Sequence, residues 1–242
     1  MKISYATISK TGRRANNEDA FKVIDMPEKE RWMGIVCDGM GGHAMGEVAS
    51  ETVVKAISDY WVKFSNMYDR EEKLIKACKQ ASTALDRVSF KHCSQMGTTL
   101  VMVSIEGGNK VTIAHIGDSR CYLIRPGHYD YEDINNTDKY HVVYQTKDHV
   151  KTNYGWETVA KCFFSYRPEV AVPDIVQFEI QPGDRIFLCS DGLYKCIAPN
   201  VLKEILMDEK SPEEIIDSLD LICEREANDN YTAIMVRILD CQ

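Results

Sequence analysis

The chain has 242 residues, a length that suits one domain around one sizeable core. Hydrophobic residues make up 44% and charged residues 27%, which excludes a disordered or membrane-spanning composition. A formal net charge of -8 without any basic run excludes the clustered Lys and Arg on which nucleic-acid binding rests. An acidic chain that handles phosphate needs a counter-charge, and metal ions can supply it.

The first third alternates extended segments with turns. Strands are expected over residues 3–9, 20–25 and 32–37, the last an apolar run suited to a buried strand. From Gly46 the period changes. Val53, Ile57, Trp61 and Phe64 recur at helical spacing, and Leu74, Cys78, Ala81, Leu85 and Val88 define a second amphipathic helix, with Asp69 as its N-cap and Glu71 and Glu72 in its first turn. Residues 99–105 and 111–116 read as a hairpin, because Gly107-Gly108-Asn109 supplies the left-handed conformers of a tight turn. Further strands are expected over 121–124, 141–145, 176–180 and 185–189, with Gln181-Pro182-Gly183-Asp184 as a turn. Val201, Ile205 and Leu206 mark one helix; Ile215, Ile216, Leu219 and Cys223 mark another opened by Ser211-Pro212-Glu213-Glu214. Residues 231–239 close the chain as a strand. This order predicts a β-sandwich covered by helices on both sides, in one domain spanning 1–242.

No stretch approaches the length of a membrane span, and the N-terminus lacks an apolar run with a cleavage site, so a cytoplasmic location is expected. The nine cysteines are scattered, with no C-x-x-C pair, and read as free thiols in a reducing compartment.

The chemistry lies where acids meet strand ends. Gly34-Ile35-Val36-Cys37 runs into Asp38-Gly39, Ala114-His115-Ile116-Gly117 into Asp118-Ser119, and Phe187-Leu188-Cys189-Ser190 into Asp191-Gly192; Asp229-Asn230 precedes the last strand, and Glu18-Asp19 precede the segment from Ala20. Any one Asp-Gly pair is ordinary turn chemistry. Several acids delivered to one edge would repel each other unless a cation compensated them, and oxygen-only ligands favour Mg²⁺ or Mn²⁺ over zinc. Gly39, with no Cβ, lets its backbone oxygen approach an ion. Arg14, close to these acids in sequence, carries the planar fork of donors that grips a phosphate.

These residues resemble the metal-dependent protein phosphatases of type 2C, in particular compact bacterial members. The resemblance runs over nearly the whole chain: Arg14 to Glu18-Asp19-Ala20, Cys37-Asp38-Gly39-Met40-Gly41-Gly42-His43, Gly46-Glu47-Val48-Ala49-Ser50, Gly97-Thr98-Thr99 and Gly117-Asp118-Ser119-Arg120. It continues through Thr146-Lys147-Asp148-His149, Pro182-Gly183-Asp184, Ser190-Asp191-Gly192-Leu193 and Asn228-Asp229-Asn230-Tyr231-Thr232.

The resemblance implies an αββα sandwich (α+β) with two Mn²⁺ or Mg²⁺ ions at one end. It implies that Asp38 bridges the ions, that Asp191 and Asp229 complete the ligands of the first, that Gly39 offers its carbonyl to the second, and that Glu18 and Asp19 hold metal-bound waters. Arg14 would bind the phosphoryl oxygens of phosphoserine or phosphothreonine. Hydroxide bridging the metals would attack in line with no covalent intermediate. The implied substrates are phosphoproteins made by a serine/threonine kinase, and the implied form is a monomer. The alternatives are a catalytically silent phosphoprotein-binding scaffold of the same fold and a two-metal phosphoesterase acting on nucleotides or nucleic acid.

Three positions depart from the family pattern. Met40 stands where many relatives place a His, leaving the general acid unassigned, with His43 the nearest candidate. The flap region, about 150–174, is short and aromatic (Tyr154, Trp156, Phe163, Phe164 and Tyr166); an open site is expected, with these rings packed on the sheet. Lys195 stands where relatives that bind a third ion at Asp118 and Asp191 carry an acid. One helical turn after Asp191 would bring its ammonium to both carboxylates, so a third site is expected to be weak or absent.

Overall fold

The computed structural model describes residues 2–40, 45–65, 69–127, 140–153 and 155–240. In chain order its elements are β1 (Lys2–Lys10), β2 (Asp19–Met26), β3 (Arg31–Asp38), α1 (Gly46–Lys63), α2 (Arg70–His92), β4 (Gly97–Thr98), β5 (Leu100–Glu106) and β6 (Lys110–Ile116). There follow β7 (Arg120–Pro126), β8 (Tyr140–Gln145), β9 (Val150–Asn153), β10 (Trp156–Val159), β11 (Phe163–Phe164), β12 (Asp174–Glu179), β13 (Arg185–Cys189), α3 (Asp191–Cys196), α4 (Pro199–Met207), α5 (Pro212–Glu226) and β14 (Tyr231–Asp240).

Two five-stranded antiparallel sheets face each other, ordered β1-β14-β13-β7-β8 and β12-β6-β5-β3-β2. Strand β3 shows why. Its alternate residues Met33, Ile35 and Cys37 pack against α1 and α2, whereas Trp32 and Val36 pack with Leu188, Ile234 and Val236 between the sheets. Period-2 alternation with both faces apolar demands cover on both sides, and that is what makes four layers. A third apolar layer joins Phe187, Leu193, Leu202, Leu219 and Met235 beneath α3, α4 and α5.

Local signals act as the sequence reading expects. Asp69 accepts the Glu72 N–H at 2.9 Å, Ser211 and Glu214 form a reciprocal capping box, and Gly107 and Gly108 take positive φ (55° and 93°) in the β5–β6 turn. Two features go beyond that reading. The six-residue helix α3 begins at Asp191 itself, and in the flap region β9 pairs antiparallel with β10 while β11 pairs with β4. In this region Phe163 is fully buried, whereas Tyr166 is half-exposed with φ 64°. Tyr154 and the side chain of Trp156 lie outside the described residues. Among the described residues no helix is long and apolar enough to cross a membrane.

Candidate active site

The acids singled out from the sequence come together at one end of the sandwich. A hollow of about 150 Å³ is lined by Arg14, Glu18, Asp38, Gly39, Met40, Thr99, Asp118, Val159, Asp191 and Asp229. Asp19 stands directly behind it, opposite Asp38 in the β2–β3 ladder. The six acids arrive on five strand ends, those of β2, β3, β6, β13 and β14, where the sheet backbone leaves each carboxylate little freedom.

Asp38 is fixed by threonines. Its N–H donates to Thr99 Oγ1 (2.9 Å), while its carbonyl accepts from the Thr99 N–H (2.9 Å) and Thr98 Oγ1 (2.8 Å). Thr99 Oγ1 in turn lies 2.7 Å from Ser119 Oγ, joining the Asp38 and Asp118 ends. At Gly39 a Cβ would fall 2.3 Å from the Gly46 carbonyl oxygen and 2.6 Å from that of Glu18, so only glycine lets these backbones meet.

Burial, reinforced by Asp19, Asp191 and Asp118, pushes the Asp38 carboxyl well above its usual range. Burial likewise raises Asp19 to about 7, against hydrogen bonds from Ser190 and Thr232 that favour its ionised form. Glu18 is raised by burial and Glu47, and Asp118 by burial and Asp191. These directions share one cause: too many carboxylates in too little water. Ser190 Oγ donates to Asp19 Oδ2 at 2.7 Å, but Asp19 Oδ1 is buried with no hydrogen-bond partner among the described residues. An orphaned carboxylate oxygen inside an all-oxygen, acid-rich cluster fits hard divalent cations and the water around them.

Arg14 lies at the rim, exposed, with Nη2 2.7 Å from Asp229 Oδ2. Arg13 instead turns away to Asn228 Oδ1 at 2.9 Å. Lys195 sits against two of the acids, with Nζ 2.5 Å from Asp191 Oδ2 and 3.5 Å from Asp118 Oδ2. Burial works to lower the lysine's pKa, yet Asp191 and Asp118 outweigh it and raise it, so the ammonium is held in its charged form. The helical turn of α3 is what brings it back, as the spacing of four suggests. Met40 packs its methyl against Gly97 and donates its N–H to the Gly97 carbonyl at 3.1 Å. His43 lies outside the described residues.

Several supporting residues carry no role in the sequence reading. Asn230 accepts the Glu18 N–H (2.9 Å) and donates to the carbonyls of Thr11 (2.8 Å) and Asn16 (2.7 Å), tying the Arg14 loop to the start of β14. Ser190 and Thr232 clasp β13 to β14 behind Asp19. The signal available for these was only that small polar residues flank the acids.

His115, His149 and Asp174 gather beside Asp118 with ligand atoms within 4.8 Å of one another. Their hydrogen bonds speak for a strap. His149 Nδ1 accepts the Gly117 N–H at 3.1 Å, so the neutral ring carries its proton on Nε2, which faces Asp174 at 3.2 Å. With Ala160 N–H donating to the His149 carbonyl at 2.7 Å, the β9–β10 hairpin is moored next to Asp118.

A four-layer αββα sandwich with an acid cluster at one end, rimmed by arginine, defines the class of metal-dependent phosphatases. The model of the family described as protein phosphatase 2C matches residues 9–240, and the chain belongs to that family. It is 31% identical to serine/threonine phosphatase Stp of Listeria monocytogenes, over 84% of this chain and 82% of that protein. It is 28% identical to serine/threonine protein phosphatase PstP of Mycobacterium tuberculosis over 98% of this chain, and spans 45% of PstP's length. The crystal structure of the PstP catalytic domain in complex with two manganese ions superposes with a TM-score of 0.77 at 28% identity, covering 98% of this chain and 99% of that one.

Proposed function

We propose that this chain hydrolyses phosphoserine and phosphothreonine esters of proteins, with Asp38, Gly39, Asp191 and Asp229 holding two Mn²⁺ or Mg²⁺ ions. The observation that carries this reading is the hollow itself, where acids from five separate strand ends meet and Arg14 stands at the rim. Bound divalent cations supply Lewis acidity and positive charge to the phosphate and the attacking water. Asp38 would contact both ions, and Glu18 and Asp19 would hold metal-bound water through carboxylate oxygens, among them the unpartnered Asp19 Oδ1. Arg14 leaves its exposed pair with Asp229 to clamp the phosphoryl oxygens, an exchange that costs little because exposed ion pairs are weak. Lys195 neutralises Asp118 and Asp191, so two ions are held and a third is disfavoured.

The chain acts as one phosphatase domain with a compact flap, residues 150–174, working as a monomer on products of a serine/threonine kinase. Its free thiols support a cytoplasmic setting. The flap buries Phe163 and contributes Val159 to the wall of the hollow; we infer that so short a flap gives weak preference for sequence around the phosphoresidue. The deciding experiment is hydrolysis of para-nitrophenyl phosphate with and without Mn²⁺, followed by phosphopeptides against nucleotides. Mn²⁺-dependent turnover favouring phosphopeptides is expected. Absence of turnover would leave a silent scaffold, and preference for nucleotides would give a different phosphoesterase.

A further inference from the structure

Outside the acid cluster, two thiols from different helices face each other. Cys196, the last residue of α3, and Cys223, in the final turns of α5, have sulfurs 3.5 Å apart across 27 residues of sequence. Cys223 is buried in the layer beneath the helices. Cys196 is only partly so, and it forms part of the wall of a hollow of about 450 Å³ shared with Arg14, Asp191, Lys195 and Asp229. A small oxidant that enters this hollow meets Cys196 first, with a second thiol immediately behind it.

The roles of the two sulfurs differ. Cys196 Sγ lies 3.2 Å from the Leu193 carbonyl, which takes the Cys196 S–H and leaves the Cys223 S–H directed at the Cys196 sulfur. That contact from Cys223 lowers the Cys196 pKa, against its partial burial and Glu226. Cys196 is the attacking sulfur and Cys223 the resolving one.

We propose that Cys196 and Cys223 form a reversible disulfide driven by hydrogen peroxide, and that this crosslink lowers the activity of the adjoining site. The Cys196 thiolate attacks one peroxide oxygen, the O–O bond breaks, and the released oxygen takes up a proton to leave as water. The resulting sulfenic acid is attacked at sulfur by Cys223; the S–S bond forms, the S–O bond breaks, and the departing oxygen takes the Cys223 proton as a second water. Two thiols lose two electrons and two protons in total, and one peroxide becomes two waters.

The link to activity is mechanical. A disulfide holds its sulfurs at about 2.05 Å, so the pair must close by roughly 1.5 Å. Helix α3 is six residues long, with Asp191 at its start and Lys195 next to Cys196, so whatever part of the movement the side chains do not take up reaches the site through less than two helical turns. A displacement of about 1 Å in a reacting group can cost about a hundred-fold in rate.

The test is peroxide treatment of the intact chain, read by non-reducing peptide mapping after alkylation of remaining thiols, and in parallel by Mn²⁺-dependent hydrolysis of para-nitrophenyl phosphate. The expected result is loss of two hydrogens in a Cys196–Cys223 peptide pair, with activity falling about tenfold or more and both reversed by dithiothreitol. Cys196→Ser and Cys223→Ser should each lose the link and keep activity after peroxide; should the buried Cys223→Ser fail to fold, Cys196→Ser alone decides. Further oxidation of Cys196 without a link, a link between other cysteines, or a link that leaves turnover unchanged would overturn the proposal. Loss of activity rests on the phosphatase reading, but the crosslink is read by mass, so a chain with no turnover at all would refute that reading without touching the disulfide result.

Discussion

Asp19 and Asp38 are direct partners in the β2–β3 ladder, so two acids are held at adjacent positions by the hydrogen bonds of a sheet. They cannot move apart without breaking that register. The first consequence concerns pH. Asp19 has a folded-state pKa of about 7, above its value in an unfolded chain, so its contribution to stability is fully present below the unfolded value near 4 and is lost as pH rises through about 7. The metal-free protein should therefore lose thermal stability between about pH 4 and 7, and Mn²⁺ should restore it. Melting curves in chelator and in Mn²⁺ across that range check this; Asp19→Asn should flatten the metal-free slope.

Asp38 and Asp191 should be indispensable to turnover. Each contributes charge and geometry that no neighbour can replace, and a loss of about 4 kcal/mol in transition-state stabilisation corresponds to about a thousand-fold in rate. Asp38→Ala and Asp191→Ala, assayed at saturating Mn²⁺, should fall by at least that order, with near-wild-type rates for Asp38→Ala ruling out the two-metal assignment.

Arg14 should act on substrate and not on metal. Its partner Asp229 is half-exposed, and a charge-assisted clamp on phosphate is worth about 1.5–3 kcal/mol. Arg14→Ala should lower kcat/KM for a phosphopeptide by about ten- to a hundred-fold while Mn²⁺ affinity by calorimetry stays unchanged. An unaltered kcat/KM would remove Arg14 from the site.

Lys195 should set the number of ions. Its ammonium already sits on Asp191 and Asp118, so a divalent cation there would meet like charge. Anomalous scattering from Mn²⁺-soaked crystals should show two ions in the wild-type chain and a third on Asp118 in Lys195→Asp. A well-occupied third ion in the wild type would contradict this.

Far from the site, Glu106 holds two buried cations: Lys73 Nζ at 2.8 Å and Arg31 Nε at 3.2 Å. Burial lowers the Lys73 pKa despite that partner. Removing the shared carboxylate leaves both cations uncompensated, so Glu106→Ala should lose about 3–5 kcal/mol in urea unfolding. The folded fraction should keep its Mn²⁺-dependent rate.

Strands, helix caps and the acids at strand ends were legible because they are local. Period-2 runs such as Trp32 to Cys37 declare a strand buried on both faces, Asp69 and Ser211 declare helix starts, and an Asp following an apolar run declares an acid at a sheet edge. The return of Lys195 to Asp191 was legible for the same reason, since it needs only one helical turn. Tertiary structure alone decided the rest. The pairing of Asp19 with Asp38 depends on strand register, and the grip of Asn230 on the Arg14 loop joins residues more than two hundred positions apart. The Cys196–Cys223 contact arises only when α3 packs on α5. No local pattern encodes such meetings, because they are set by how whole apolar faces bury against each other and not by the residues that then touch.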